Sequence, residues 1–319
     1  MKKKIKALLL LGLVFLGGCG QASAPSVSSA GTDSQSIDLF AMDTAMTLTA
    51  YGDHAGEALD AAKSEIERLD ALFSISSESG DIYALNRDHA ATLHGDTQTL
   101  LERALEVSDS TNGIFDCTIE PVMDAWGFTT QNYRVPSADE LQQLLSRVDY
   151  KQVRQNGSDV SIPADVQVDL GGIAKGYTSD RLMEIFKAYD LRAGVVSLGG
   201  NVQCCGTKPD GSLWRCGIRD PNAPDDPNAL LGVVSVADRA VIPSGAYERN
   251  FTDENGRVYH HIIDPSTGTP ADSSLCSVTV ISADGTLADG LSTACYVMGL
   301  DKSLEYWKRD GENFDLILM

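Results

Sequence analysis

The apolar residues of this chain change their spacing along the sequence, from a helical period in the first half to a strand period in the second. From Ala55 to about Leu72, Leu59, Ala62, Ile66 and Leu69 fall on one face of a predicted helix. A second helix is predicted over Thr97 to Ser110. A third spans Ser137 to Arg147, where Ser137 as N-cap and Glu140 form a capping box. The rough alternation and threonine content of Ile37 to Gly52 predict a strand. Further strands are expected at Val166–Leu170, Ala193–Leu198, Leu230–Val236 and Cys276–Ser282, with helices at about Gly176–Tyr189 and Ala288–Met298. Strands and helices mixed without a regular β-α-β rhythm predict an α+β architecture.

The 25 basic against 45 acidic residues leave a net charge of -20, which repels phosphate backbones and makes nucleic acid a poor partner. An anionic small ligand then needs a local cation or a metal. At the N-terminus, Lys2, Lys3, Lys4 and Lys6 precede an apolar run from Ala7 to Leu16, too short to cross a bilayer. This is the pattern of a signal peptide, residues 1–18. Its Leu16-Gly17-Gly18-Cys19 ending resembles a bacterial lipobox, which makes Cys19 the expected lipidation site and places the chain on the extracytoplasmic face of the cell membrane. Residues 19–36, rich in Ser, Ala and Gly, read as a flexible tether, and 37–319 as the globular domain. Of seven cysteines, Cys19 is taken and no C-x-x-C pair exists, so a zinc site or thioredoxin-like motif is not expected. The adjacent Cys204 and Cys205 are unusual and have no function legible in the sequence.

Glycine pairs follow predicted strands in D-L-G-G-I-A-K-G-Y, Asp169 to Tyr177, and S-L-G-G-N-V, Ser197 to Val202. Glycine lets a backbone approach a ligand, and N–H groups at a following helix start can hold phosphate. Plain turn punctuation is the competing reading. Lys175 supplies the local cation that the acidic whole lacks. In A-D-G-L-S-T-A, Ala288 to Ala294, Asp289 and Thr293 are spaced to share a helix face, which suits a hard, oxygen-preferring cation. The alternative is that Asp289 merely caps its helix. In V-Y-H-H-I-I-D-P-S-T-G, Val258 to Gly268, a strand runs into a turn, and His260 and His261 must point to opposite faces. Parity alone does not say which one faces the turn.

The ordered set M-D-T (Met42 to Thr44), G-I-F-D-C-T-I-E-P (Gly113 to Pro121), W-G-F (Trp126 to Phe128), the two Gly-Gly blocks, S-G-A-Y-E-R (Ser244 to Arg249), H-I-I-D-P-S-T-G (His261 to Gly268) and A-D-G-L-S-T is similar to the ApbE family of FAD:protein FMN transferases. The resemblance runs from about Phe40 to Gly299. It implies an ApbE-like (T-fold-like) arrangement of mixed, largely antiparallel sheets with packed helices. It also implies a reaction in which an acceptor protein's threonine hydroxyl attacks the FMN-side phosphorus of FAD with Mg²⁺ present, and AMP leaves. The acceptor is then expected to be a membrane redox subunit. By the same resemblance Asp289, Thr293 and a backbone carbonyl near Gly172 are the metal ligands. His261 is the catalytic base or positioner, a role Asp289 shares, and His260 is its solvent-facing neighbour. Met42, Tyr177 and Tyr247 are expected to enclose the flavin or adenine, and Lys175 and Arg249 to support phosphates or nearby carboxylates. Gly171, Gly172, Gly199, Gly200, Ser244 and Gly245 complete the expected FAD site. For Trp126 and Phe128, core packing and ligand contact stand level, and Asp116, Thr118 and Glu120 are read as structural.

The chain departs from the family pattern at Pro243 and Ala246, where a hydroxyl and a carboxylate are common, and at Ser76, Gly80 and Gly290. Those changes bear on FAD affinity more than on the metal ligands. Two alternatives keep the same site: an FAD pyrophosphatase with water as nucleophile, and a lipoprotein that only binds flavin.

Overall fold

The structure, a computed structural model, describes residues 33–223, 226 and 228–319. The signal segment, Cys19 and the tether up to residue 32 lie outside them. The region expected to be one strand from Ile37 is a hairpin, β1 (Ser34–Ala41) and β2 (Thr44–Tyr51), so the first strand begins inside the segment read as tether. Met42 and Asp43 make its two-residue turn with φ of 48° and 57°. Both are left-handed, as such a turn requires, and neither is the glycine or asparagine that adopts it without strain.

Helices α1 (Ala55–Phe73), α2 (Asp81–Asp88), α3 (Gly95–Ser110), α4 (Glu120–Trp126) and α5 (Ala138–Leu145) follow. Short strands β3 (Ala90–Thr92), β4 (Arg154–Asn156) and β5 (Asp159–Ser161) pair beside them. In α1 the residues Leu59, Ala62, Ile66 and Leu69 are buried, so the periodic face is the packed one. Each large aliphatic side chain there contributes about 1.5–3 kcal/mol. Ser137 forms the N-cap, accepting from the Glu140 N–H at 3.2 Å, but the box stays half-made because the Glu140 carboxylate turns to Arg134 instead of the Ser137 N–H.

The second half supplies α6 (Ala174–Ala188), β6 (Ala193–Leu198), β7 (Asn201–Gly206), β8 (Trp214–Arg219), β9 (Leu230–Val236), β10 (Ala240–Gly245), β11 (Asn250–Thr252), β12 (Val258–His260), β13 (Ser277–Ser282), α7 (Gly285–Asp310) and β14 (Phe314–Leu318). Seven strands form one sheet in the order β1-β2-β6-β7-β10-β13-β14, antiparallel at every pairing. The fold is therefore α+β with antiparallel sheets and packed helices. The predicted helix ending at Met298 stops there in conformation, since Gly299 breaks α7 with φ 72° and ψ -177°.

Val166–Leu170 is a correction. Its alternation is real, with Val166, Val168 and Leu170 all fully buried, but no strand forms. The Asn86 side chain takes both the N–H and the carbonyl of Val168, and the Asp169 N–H donates to the Cys117 carbonyl. A side chain and a loop thus satisfy backbone groups that a neighbouring strand would otherwise pair.

Candidate active site

The main sheet opens beside the β6–β7 turn. Pairing between β7 and β10 covers Ala240↔Gln203 and Val241↔Val202 and then stops, so the start of β7 and the end of β10 diverge. Gly199 and Gly200 make the β6–β7 turn with φ of 62° and 102°, and a Cβ on Gly199 would stand 2.3 Å from Thr44 Oγ1. That glycine is required both by its dihedral and by the closeness of the β1–β2 hairpin. Pro243 and Ser244 lie past the end of the β7 ladder and line the gap. A cleft of about 710 Å³ fills this space.

The crossing of α6 and α7 sets the cleft's chemistry. A Cβ on Gly176 would lie 2.2 Å from the Gly285 carbonyl oxygen and 2.6 Å from Asp289 Cβ, so only glycine allows the two helices so close. This approach lets Asp289 Oδ2 accept from the Gly176 N–H at 2.8 Å, while Oδ1 accepts from Asn201 Nδ2 at 2.9 Å. Asp289 does cap a helix, but not its own: α7 is capped by Asp284, which accepts from the Leu287 N–H, and Asp289 serves the first turn of α6. Asp180 adds to the α7 start, accepting from the Gly285 and Thr286 N–H groups.

Asp289 and Thr293 both line the cleft, together with Gly171, Gly172, Lys175, Gly199, Ser244, Arg249, Met42 and His261. Residues from six separate motifs therefore meet in one concavity. Tyr177, Gly200, Gly245 and Tyr247, expected among them, stand outside its lining. Tyr177 is buried, with its ring edge-on to Phe73 and its hydroxyl donating to Asp96 at 2.7 Å. Tyr247 packs back onto Gly245, and the Arg219 guanidinium lies 5.8 Å from its ring centre. Trp126 and Phe128 are core residues, 2% and 0% exposed, and the Trp126 indole donates to the Gly268 carbonyl of the turn that follows His261.

The two histidines divide as parity demands, with one correction. His261 lines the cleft and its Nδ1 bonds the Arg249 carbonyl at 3.1 Å. A carbonyl accepts only, so Nδ1 carries the proton and Nε2 keeps its lone pair. Burial foremost, then Lys175, Arg249 and His260, pushes His261 down to about 3, which keeps the ring neutral. His260 is not solvent-facing: it is half-buried, edge-on to Tyr296 at 5.6 Å, with Nε2 bonded to the Ala271 carbonyl. The returning chain around Ala271 covers the face that strand parity leaves open.

Three further acidic or amide groups shape the site although the sequence motifs alone do not single them out. Asn201 orients Asp289. Asp169 lines the cleft and is raised by burial against the pull of the Gly171 N–H, Arg249 and Lys175. Glu248, also lining, is pushed up to about 7, by its enclosure first and by Asp289, with Lys175 opposing. Each lies inside a quoted motif, Asp169 in D-L-G-G, Asn201 in S-L-G-G-N-V and Glu248 in S-G-A-Y-E-R, which is the signal the sequence carries for them.

Oxygen donors lining the cleft include the Asp289, Asp169 and Glu248 carboxylates, the Thr293 and Ser244 hydroxyls and the backbone at Gly172. Among the described residues no group of three or more His, Cys, Asp or Glu forms a metal cage. A single carboxylate with a hydroxyl fits a hard divalent cation that takes its remaining oxygens from a phosphate substrate. Lys175 faces the cleft in the field of Asp169 and Glu248, and supplies positive charge there for an anion.

The G-I-F-D-C-T-I-E-P motif is mainly structural. Asp116, which lines the cleft, accepts from the Thr118 N–H and hydroxyl and from the Tyr150 N–H, tying its own turn to the segment at Tyr150. Glu120 is 7% exposed, and its Oε2 has no partner. Burial, then Asp169 and Asp124, pushes it up to about 9 from 4.5. A carboxyl raised on folding favours the native state below its unfolded pKa, and that advantage is lost as pH climbs from about 4.5 towards 9. Glu120→Gln is expected to match the parent in urea unfolding at pH 5 and to exceed it by about 2–4 kcal/mol at pH 8. Equal stabilities at both pH values would refute the buried acid.

The sequence model of the ApbE family matches residues 42–318. The FAD:protein FMN transferase of Treponema pallidum (strain Nichols) is 35% identical over 264 residues, covering 74% of this chain and 72% of that one. Its namesake from Klebsiella pneumoniae (strain 342) is 30% identical over 262 residues, 80% and 79% of the two chains. Among solved structures, the ApbE protein of Thermotoga maritima superposes with a TM-score of 0.83 at 32% identity, over 90% of this chain and 94% of that one. The apo flavinyl transferase ApbE of Pseudomonas stutzeri gives 0.79 at 26% identity, over 92% and 96%.

Proposed function

Because this chain belongs to the ApbE family, we propose that it transfers the FMN part of FAD to a threonine hydroxyl of an acceptor flavoprotein, with AMP released and Mg²⁺ as the metal ion. One observation carries this reading: a neutral imidazole, two cations and a carboxylate–hydroxyl pair, far apart in sequence, line the same cleft.

The residues divide the work. Asp289, Thr293 and the carbonyl near Gly172 would hold Mg²⁺, which when bound neutralises pyrophosphate charge and stabilises the transferring phosphoryl group. Lys175 and Arg249 bind the phosphates, and Gly171, Gly172 and Gly199 let the backbone come close to them. His261 Nε2 accepts the proton of the acceptor hydroxyl as its oxygen bonds to the FMN-side phosphorus. The bond from that phosphorus to the bridging oxygen breaks, and AMP leaves with the oxygen. Burial holds His261 low first, with Lys175 and Arg249 adding to it; the charge of a bound pyrophosphate offsets those two cations, so the imidazole becomes a better base when substrate is present. The chain acts from the extracytoplasmic face of the membrane, anchored by lipid at Cys19, on an acceptor that is a membrane redox subunit.

The test mixes the full-length chain in detergent with FAD, Mg²⁺ and a threonine-bearing acceptor domain. An FMN adduct on the acceptor by intact mass, with equimolar AMP, is the expected result. AMP and free FMN without adduct would replace transfer with pyrophosphatase activity, and bound FAD without turnover would leave only flavin binding. Cys19→Ala is expected to move the protein from the membrane pellet to the supernatant without changing turnover. A variant that still pellets would remove the anchor.

A further inference from the structure

Cys204 and Cys205 are neighbours on β7, so their side chains leave opposite faces of the sheet. Cys205 joins the core formed with α1 and α6, where its thiol donates to the Leu191 carbonyl at 3.6 Å. Cys204 faces the other way, into a separate cluster with Trp214, Cys216, Ile218 and Val236. That cluster is the underside of the β8–β9 ribbon. Along β8, Trp214, Cys216 and Ile218 alternate inward, and the Trp214 indole donates to the Gly206 carbonyl at the end of β7 at 3.0 Å. The ribbon therefore lies over the sheet and buries the Cys204 and Cys216 thiols in one cluster. The neighbouring Cys216 first, and burial second, push the Cys204 thiol up, while Cys204 holds Cys216 below the ordinary thiol range.

We propose that Cys204 and Cys216 form an intramolecular disulfide that fastens the β8–β9 ribbon to the seven-stranded sheet. The oxidant is a disulfide, either glutathione disulfide or that of a dithiol oxidase. Cys216, the more exposed of the two at 9% against 1%, attacks it as thiolate and displaces one thiolate, leaving a mixed disulfide. Cys204 then loses its proton and attacks the Cys216 sulfur, displacing the second thiolate. Two protein thiols are oxidised, one oxidant disulfide becomes two thiols, and protons balance. The strand so fixed carries Arg219 three residues on, stacked over Tyr247 next to Glu248 of the cleft. The bond would thus steady one wall of the site.

The native full-length chain is incubated with glutathione disulfide, and a second sample is refolded in it; both are quenched with N-ethylmaleimide, digested and analysed by mass spectrometry. A peptide pair linked through Cys204 and Cys216 is expected, with Cys117, Cys205, Cys276 and Cys295 alkylated. Reduction is expected to lower Tm by roughly 5–10 °C in the parent and to leave Cys216→Ser unchanged. Alkylation of both Cys204 and Cys216 in the two samples, or linkage of either to Cys205 or Cys276, would overturn the proposal.

Discussion

Asp289→Ala is expected to lower flavin transfer by at least about 10³-fold while FAD still binds. The carboxylate does two things at once. Its oxygens receive the Gly176 N–H and the Asn201 amide, which fixes its position at the α6–α7 crossing, and with Thr293 it forms the oxygen donor pair of the cleft. Alanine removes the charged donor and leaves two N–H groups without an acceptor, at a cost of about 1–3 kcal/mol each. Some of that returns as hydration, because the site opens to the cleft. Lys175 and Arg249 remain to hold phosphate, so affinity for FAD falls far less than turnover. Thermal unfolding separates a folded, inactive variant from a collapsed one. Asp289→Asn is the sharper control, since it keeps the shape and one acceptor but loses the charge. Full turnover in either folded variant, at the parent's magnesium dependence, would remove Asp289 from the metal site.

The sequence carried the helices and the central strands because their signal is local. The face of α1 and the N-cap at Ser137 depend only on neighbours along the chain, and both appear where predicted, whereas the Glu140 half of the capping box is taken by Arg134. What the sequence could not show is what lies across from a segment. Val166–Leu170 alternates like a strand, but Asn86, distant in sequence, occupies the Val168 backbone groups. The same limit applies within the site. Asp289 and Thr293 were legible by helical spacing, whereas Asn201, Asp169 and Glu248 gain importance only from the crossing of α6 over α7 and the divergence of β7 from β10. Tyr177 shows the converse: it sits in a glycine-rich motif of the cleft, yet its own helical position turns it to Asp96 and Phe73.

His261→Ala is expected to reduce turnover about 10²–10⁴-fold, and His260→Ala to leave it within a few-fold. The difference follows from what each ring meets. His261 presents Nε2 as a lone pair because its Nδ1–H is committed to the Arg249 carbonyl, a backbone acceptor that no side-chain change removes. His260 spends its nitrogen on the Ala271 carbonyl and its edge on Tyr296, so its loss costs packing, about 0.5–1.5 kcal/mol for the ring pair, and shows in Tm. With His261 held down to about 3 in the free protein, its protonation cannot limit kcat/KM between about pH 5.5 and 8. An inflection in that range belongs to Glu248, raised to about 7, and Glu248→Gln is expected to flatten it. Added imidazole distinguishes a base from a packing residue: it should restore part of the turnover of His261→Ala and none to His260→Ala. Equal losses in the two alanine variants, with no rescue of either, would show that the cleft-facing imidazole is a structural ring and that the acceptor's proton leaves by another group.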